Sequence, residues 1–576
     1  MALGALALVG PSAIGATAAT EAPASTRGAL TSSSSAAPGA SAAALLDGDV
    51  PHRALGAEWS AAAGDGAPWV QLSWPEARRI ASVQVFGSTA DATDPTQPNA
   101  AALYGVIRFS DGSSLPVSGI AAGGAMPTTV AFAPRATTSV RLELRRQVSG
   151  APVALRELTA YAVGSTPPRW DAPASSPTYA VTPPRAGCSS SSSESGRGTT
   201  TASVAPVLPD RLSLACPTPG SSTGVTATVV LNAPAGAAVS VWAATAASSS
   251  LQAPLRRVAT ATADASGHAV LTADVSALPR GPYALKATAT SSAGRPLQPL
   301  YVQLLKDTGA AAPHGTDDHA PAGMTLQYSD EFTGPLSATQ SGWGAQYAAI
   351  KPEPGGGSQF GSALFADPAD GANTLATVPG GFLRVRAQPI GSLAPKATWG
   401  QPHAAGILSS QRYGGSGFSA QQGYFEARML GAPGAGAWPA FWMLNSESGT
   451  PRSDGKTSGE LDAIEMYGHN PTGGCHTTHA FGAPKGSDGK LDCRWDYGRG
   501  FDWAAQWHTY GVQVMPDGSA RFFVDGRQTA HLDQLGLADQ PFFFLLDLAT
   551  GGGYDVDLAA TGQVSDLYVD WVRVYT

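Results

Sequence analysis

At 576 residues the chain is longer than one hydrophobic core usually organises, and its 43% hydrophobic content is enough to fill several. A net charge of -8 with no basic cluster excludes nucleic acid as a partner, since phosphate binding needs concentrated lysine and arginine, and a neutral or weakly charged ligand fits better. With 68 glycines, 45 prolines, only 14% charged residues and short Thr- and Val-rich runs between turn residues, the composition predicts an all-β chain with no long helix.

Met1 to Ala16 is apolar and rich in small residues, and Ala16-Thr-Ala18 has the form of a cleavage site. A basic segment ahead of it is missing, so the stretch is either an export signal, the reading adopted, or an ordinary disordered N-terminus. No later stretch is long and apolar enough to span a membrane, so a secreted protein with no membrane partner is expected. Residues 17–40 are mostly Ser, Ala, Thr and Pro, and residues 1–43 are expected to form the signal-like segment and a disordered lead.

Residues 44–163 hold alternating runs such as Trp69–Ser73, Ile80–Phe86, Gly105–Phe109 and Ser139–Leu144, with Asp111-Gly112 as a turn signal, which predicts an antiparallel sandwich. Asp47-Gly-Asp49, Trp69–Leu72, Ile107–Ser113 and Val140–Leu144 resemble the discoidin, or coagulation-factor C-type, fold. That resemblance implies a carbohydrate-binding-type module with glycan-binding loops at one end. The alternative is a spacer, because Trp59 and Tyr104 are equally suited to core or loop.

Residues 164–210, rich in Pro, Ser and Thr, read as a linker. Residues 211–306 carry runs such as Val225–Leu231, Ala238–Trp242, His268–Thr272 and Tyr283–Ala289, which predict an immunoglobulin-like or fibronectin-like sandwich serving as spacer or adhesive module. Residues 307–323 read as a second linker, and residues 324–576 as the last domain.

The four cysteines fall into two local pairs, Cys188 with Cys216 and Cys475 with Cys493, as expected for disulfides in an exported protein. The alternative at the second pair is zinc, held by Cys475, His476, His479 and Cys493, although no Cys-x-x-Cys is present.

Chemistry concentrates in Ser458-Gly-Glu-Leu-Asp-Ala-Ile-Glu-Met-Tyr-Gly468, which gathers Glu460, Asp462 and Glu465 in an otherwise apolar segment. On a regular strand Glu460 and Asp462 share a face while Glu465 points the other way. If Ala463 and Ile464 together oppose one residue of a neighbouring strand, a bulge brings Glu465 back to the same face. A carboxylate that attacks an anomeric carbon and a second that delivers a proton are what glycoside hydrolysis needs. Aromatic enrichment agrees: eight of the thirteen tryptophans, at 343, 399, 438, 442, 495, 503, 507 and 571, lie after Met324. Indoles stack on the flat apolar faces of sugar rings, and about half of these should instead be core.

Tyr328–Phe332, Gly406–Ser410, Gly423–Arg428, Ala437–Leu444, Gly459–Glu465, Trp507–Gly511, Phe523–Gly526 and Val569–Tyr575 resemble, in order, segments of family-16 glycoside hydrolases. The resemblance implies a concanavalin-like β-jelly roll whose concave sheet takes a polysaccharide, and a mechanism that retains anomeric configuration. It implies Glu460 as nucleophile, Glu465 as general acid/base and Asp462 as the assisting carboxylate, in the bulged, laminarinase-like form of the family. Like-charge repulsion is expected to raise the pKa of Glu465. Trp438 and Trp442 resemble the cleft-lining aromatics and His479 a histidine beside the carboxylates, while His476 and His508 are read as structural. Asp547 stands where Asn is usual, which puts a minor polar contact in doubt.

Asp570 resembles the side-chain ligand of a structural calcium, with an ordinary strand Asp as the alternative; no cofactor is needed for catalysis. The function expected is a secreted, monomeric endo-β-glycanase acting on a β-1,3- or β-1,3-1,4-glucan. A galactan or exopolysaccharide hydrolase, or a non-catalytic glycan-binding protein, is the alternative.

Overall fold

The structure is a computed structural model that describes residues 26, 28–46, 58–88, 103–120, 127–146, 153–168, 178–186, 188, 211–244, 254–310, 319–337, 360–366, 368, 371–396, 400–411, 417–445, 458–481, 489–495, 497, 498, 500–533 and 540–576. The expected signal segment, Asp47-Gly-Asp49, the serine run from Ser189, Trp343 and Trp399 lie outside these. The described regular structure is strand with a few 3-10 turns, as the composition predicts.

The last domain is a sandwich of two sheets. One runs Gly417–Ala420, Phe542–Thr550, Ala437–Asn445, Ser458–Glu465, Gly474–Phe481, Lys490–Arg494. The other includes Phe382–Pro389, Ser565–Tyr575, Gly423–Leu430, His508–Val514, Ala520–Val524 and Arg527–Leu532. Phe441, Met443, Leu461, Ile464 and Phe544 from the first meet Phe425, Val512, Val572 and Val574 from the second in one buried cluster. Burying one face of each sheet leaves the outer face of the first for polar side chains.

The N-terminal module is antiparallel as predicted, with its 19-residue strands Trp69–Gly87 and Thr128–Arg146 at the centre. Trp59 is buried and so belongs to the core, whereas Tyr104 is exposed. The disordered lead is corrected: Leu30–Ser33 is a strand paired antiparallel with Val70–Ser73. A polar segment is ordered there because its hydroxyls are bonded, Ser34 and Ser35 each donating to Asp65 at 2.6 Å.

The modules are docked on one another. Thr128–Ala131 pairs parallel with Gly417–Ala420, so the N-terminal sheet continues into the sheet that bears the acids, and Ala131 joins the last domain's core. Part of the first linker is also ordered, Thr178–Tyr179 pairing with Leu336–Ser337, and Cys188 is bonded to Cys216.

The middle module has a five-stranded and a three-stranded sheet, in keeping with the sandwich predicted. It packs against the second sheet of the last domain: Trp507 Nε1 donates to Pro282 O at 3.3 Å, Gln303 Nε2 to Gly431 O at 2.8 Å, and Phe382 and Tyr568 cluster with Ala284 and Leu305. Asp502, buried at this contact, accepts from Lys286 Nζ at 2.7 Å and Tyr301 OH at 2.9 Å.

Candidate active site

The Ser458–Glu465 strand is bulged where its sequence requires it. Against Gly474–Phe481, Glu460 faces His479 and Asp462 faces Thr477, but the next pair is Glu465 with Cys475, so Ala463 and Ile464 together oppose His476. Against Ala437–Asn445 the same extra residue appears between Asp462, opposite Trp442, and Ile464, opposite Phe441. Leu461, Ala463 and Ile464 enter the core cluster. Glu460, Asp462 and Glu465 are thereby gathered on the other face, as a one-residue bulge dictates.

Each acid has its own surroundings. Trp438 Nε1 and Tyr467 OH both donate to Glu465 Oε1 at 3.2 Å, and Thr477 Oγ1 donates to Oε2 at 2.8 Å. His479 Nε2 lies 3.7 Å from Glu460 Oε1 and 3.8 Å from Asp462 Oδ2. Glu460, Asp462 and His479 each bring one such atom within 4.8 Å of the others. Asp462 is 4% exposed and its Oδ2 has no hydrogen-bond partner.

Crowding carboxyls away from water disfavours their charged forms. Burial, then the Glu465 and Asp547 carboxyls, pushes Glu460 up to about 8. Burial, then Glu460, Glu465 and Asp547, holds Asp462 well above the usual carboxylate range.

Asp547 is more than a minor contact. It is fully buried on the Phe542–Thr550 strand, opposite Ala440, with Oδ1 accepting from Trp442 Nε1 at 2.7 Å. Burial pushes it up to about 8 against the lowering effect of the Trp442 bond. Its charge is one of the three influences raising Glu460. The Asp547→Asn variant therefore ionises Glu460 at lower pH, and the acid limb of its kcat/KM profile moves down the pH axis. A limb that stays put or moves up contradicts this coupling.

Trp442 is accordingly buried, held by Asp547, while Trp438 is half-buried against Glu465. Of the other described tryptophans after Met324, Trp503, Trp507 and Trp571 are core and Trp495 is exposed. Tyr467 and Thr477, both bonded to Glu465, were not singled out from sequence. Tyr467 had a signal, since residues two apart share a face of an extended chain; Thr477 did not, because it depends on pairing register.

Cys475 and Cys493 are disulfide-bonded and face one another across paired strands, which removes both sulfurs from any zinc site. His476 is buried with Nδ1 at 2.7 Å from Ala463 O and Nε2 shared with Thr529 and Tyr497, and burial lowers it to about 4. His508 Nδ1 lies 2.9 Å from Asp525 Oδ2. At Asp570 the donor set does not fit calcium: its buried carboxylate accepts from Arg428 Nη1 at 2.7 Å, so a cation beside it would meet a guanidinium. In this structure Asp570 is an ion-paired strand residue, and no step is routed through a metal.

Residues 24–161 match a domain of unknown function, DUF7402, which assigns no activity to the N-terminal module. The endo-1,3-1,4-beta-glycanase EglC of Rhizobium meliloti (strain 1021) is 29% identical over 211 residues, 36% of this chain and 41% of that protein. A glucan endo-1,3-beta-glucosidase of Cryptopygus antarcticus is 34% identical over 153 residues, 23% of this chain and 52% of that protein. The chain thus spans about half or less of the length of these relatives. The laminarinase catalytic domain of Thermotoga maritima MSB8 is 25% identical, covering 44% of this chain and 98% of that one, with a TM-score of 0.36. Residues 400–571, which contain the bulged strand and its three acids, match the family described as Glycosyl hydrolases family 16, and the chain therefore carries a family 16 glycosyl hydrolase domain at its C-terminal end.

Proposed function

We propose that the protein is a secreted, monomeric endo-β-glycanase that cleaves a β-1,3- or β-1,3-1,4-glucan with retention of anomeric configuration. The observation that carries this reading is the bulge that gathers Glu460, Asp462 and Glu465 on one face of a family 16 domain. The relatives' names, for 1,3- and 1,3-1,4-linked glucans, support the substrate class. Two disulfides support export, and no helix among the described residues is long and apolar enough to cross a membrane.

In the reaction, Glu460 as carboxylate attacks the anomeric carbon while Glu465 gives its proton to the departing glycosidic oxygen. The C–O bond to the leaving sugar breaks as the ester to Glu460 forms. Trp438 and Tyr467, both bonded to Oε1, and Thr477, bonded to Oε2, fix the direction in which Glu465 presents that proton. In the second half Glu465 takes a proton from water, whose oxygen displaces Glu460 and restores both acids.

A panel of laminarin, mixed-linkage glucan, agarose and galactan, with sizing of products, tests the assignment. Early release of mid-length oligosaccharides from laminarin or mixed-linkage glucan is expected. Cleavage confined to the galactans would replace the substrate, and no cleavage of any member would leave the glycan-binding reading.

A further inference from the structure

The acid end of the site continues into an aromatic patch, three of whose rings, Trp495, Tyr554 and His469, the reaction above does not use. Tyr467, bonded to Glu465, lies parallel to Trp438 at 6.1 Å and 15°, and meets Trp495 at 6.2 Å and Tyr554 at 5.4 Å edge-on. His469 completes the group, 3.8 Å from the Tyr554 ring and 6.4 Å from that of Trp495. Trp495 is 41% exposed and Tyr554 44% exposed, so large apolar rings face solvent beside a polar centre.

These rings come from separate parts of the chain, each anchored. Trp495 follows the hairpin closed by the Cys475–Cys493 bond, and its carbonyl accepts from Thr472 Oγ1 at 3.3 Å. Tyr554 follows the Gly551–Gly553 turn. At Gly552, where φ is +63°, a side chain would stand 2.8 Å from the Trp438 ring, so only glycine lets the turn lie flat against that tryptophan. Exposed apolar area this well fixed has a use when a ligand covers it.

We propose that Trp495, Tyr554 and His469 form the binding platform for the leaving portion of the glycan, taking neutral sugar rings of the chain that departs when the bond is cut. The proton of Glu465 goes to the oxygen that joins the two halves, so the first departing sugar lies against whatever surrounds that carboxyl on its open side. Rings with apolar faces and no fixed charge suit pyranose C–H faces. The same sugars returning to the glycosyl ester would be acceptors for transfer, so the platform also sets the share of transfer against hydrolysis. This inference rests on Glu465 being the acid of the proposed reaction.

The test compares wild type with Trp495→Ala and Tyr554→Ala on two substrates, a laminari-oligosaccharide and an aryl β-glycoside of the same donor sugars with a small phenolic leaving group. Both positions are exposed, and Tm checks folding. In the variants kcat/KM should fall about tenfold on the oligosaccharide, much less on the aryl glycoside, and the yield of transfer products should drop. Equal losses on both substrates would assign the patch to the donor side and overturn the proposal, as would no loss on either. A folded wild type inactive on both would overturn the activity itself.

Discussion

Glu460→Gln loses activity on the preferred glucan by on the order of 10⁴-fold or more, with the fold intact. The amide is nearly the same size as the carboxylate but cannot form the ester through which the two displacements pass. Its effect on stability has the opposite sign. Burial and neighbouring carboxyls push Glu460 up to about 8, so ionising it in the folded protein is unfavourable. A group raised in this way contributes stability that is present at low pH and lost as pH rises through its folded value. The Gln variant is free of that loss, and its Tm at pH 9 should equal or exceed that of wild type. Activity lost together with a lowered Tm would point to a structural role instead.

Lys286→Met lowers stability by about 3 kcal/mol and loosens the middle module from the last domain. Asp502 has a side chain only 5% exposed, and Lys286 Nζ at 2.7 Å is its charged partner. Removing the amine leaves a buried carboxylate with Tyr301 OH as its remaining partner across the contact. Burial already raises Asp502, and Lys286 is the first of the influences that lower it. Without that influence the carboxyl rises further, so the variant's Tm deficit should widen as pH increases and shrink when Asp502 is protonated. A deficit independent of pH would mean that lost packing, not charge, governs the contact. Because Trp503, next in sequence, donates from Nε1 to Gly473 O at 2.9 Å, the segment held by Lys286 also braces the loop after Tyr467.

The active strand was legible because its alternation is interrupted by one residue, and a period of two makes that interruption decisive. Glu460, Asp462 and Glu465 are together in the structure for the reason their spacing gives, and His479 faces Glu460 across the adjacent strand. Asp547, Tyr467 and Thr477 gain their importance from which strands are neighbours, which local pattern does not encode. Solvent access is likewise a tertiary property, and the carboxyls pushed upward around the bulged strand include Glu460, Asp462 and Asp547. At Asp570 a carboxylate of the expected type was present, but Arg428 from the neighbouring strand decides its partner. The docking of three modules also lay beyond pattern, since Lys286, Gln303 and Arg135 look like ordinary surface residues until Asp502, Gly431 and Gln421 are brought against them.

The most direct measurement of the central claim is the configuration of the first product, followed by proton NMR as a β-glucan is cleaved. Two displacements at one carbon, through an ester on Glu460, release the β-anomer first, with the α-anomer appearing only as mutarotation proceeds. Initial release of the α-anomer would mean a single displacement by water and would contradict the roles given to Glu460 and Glu465.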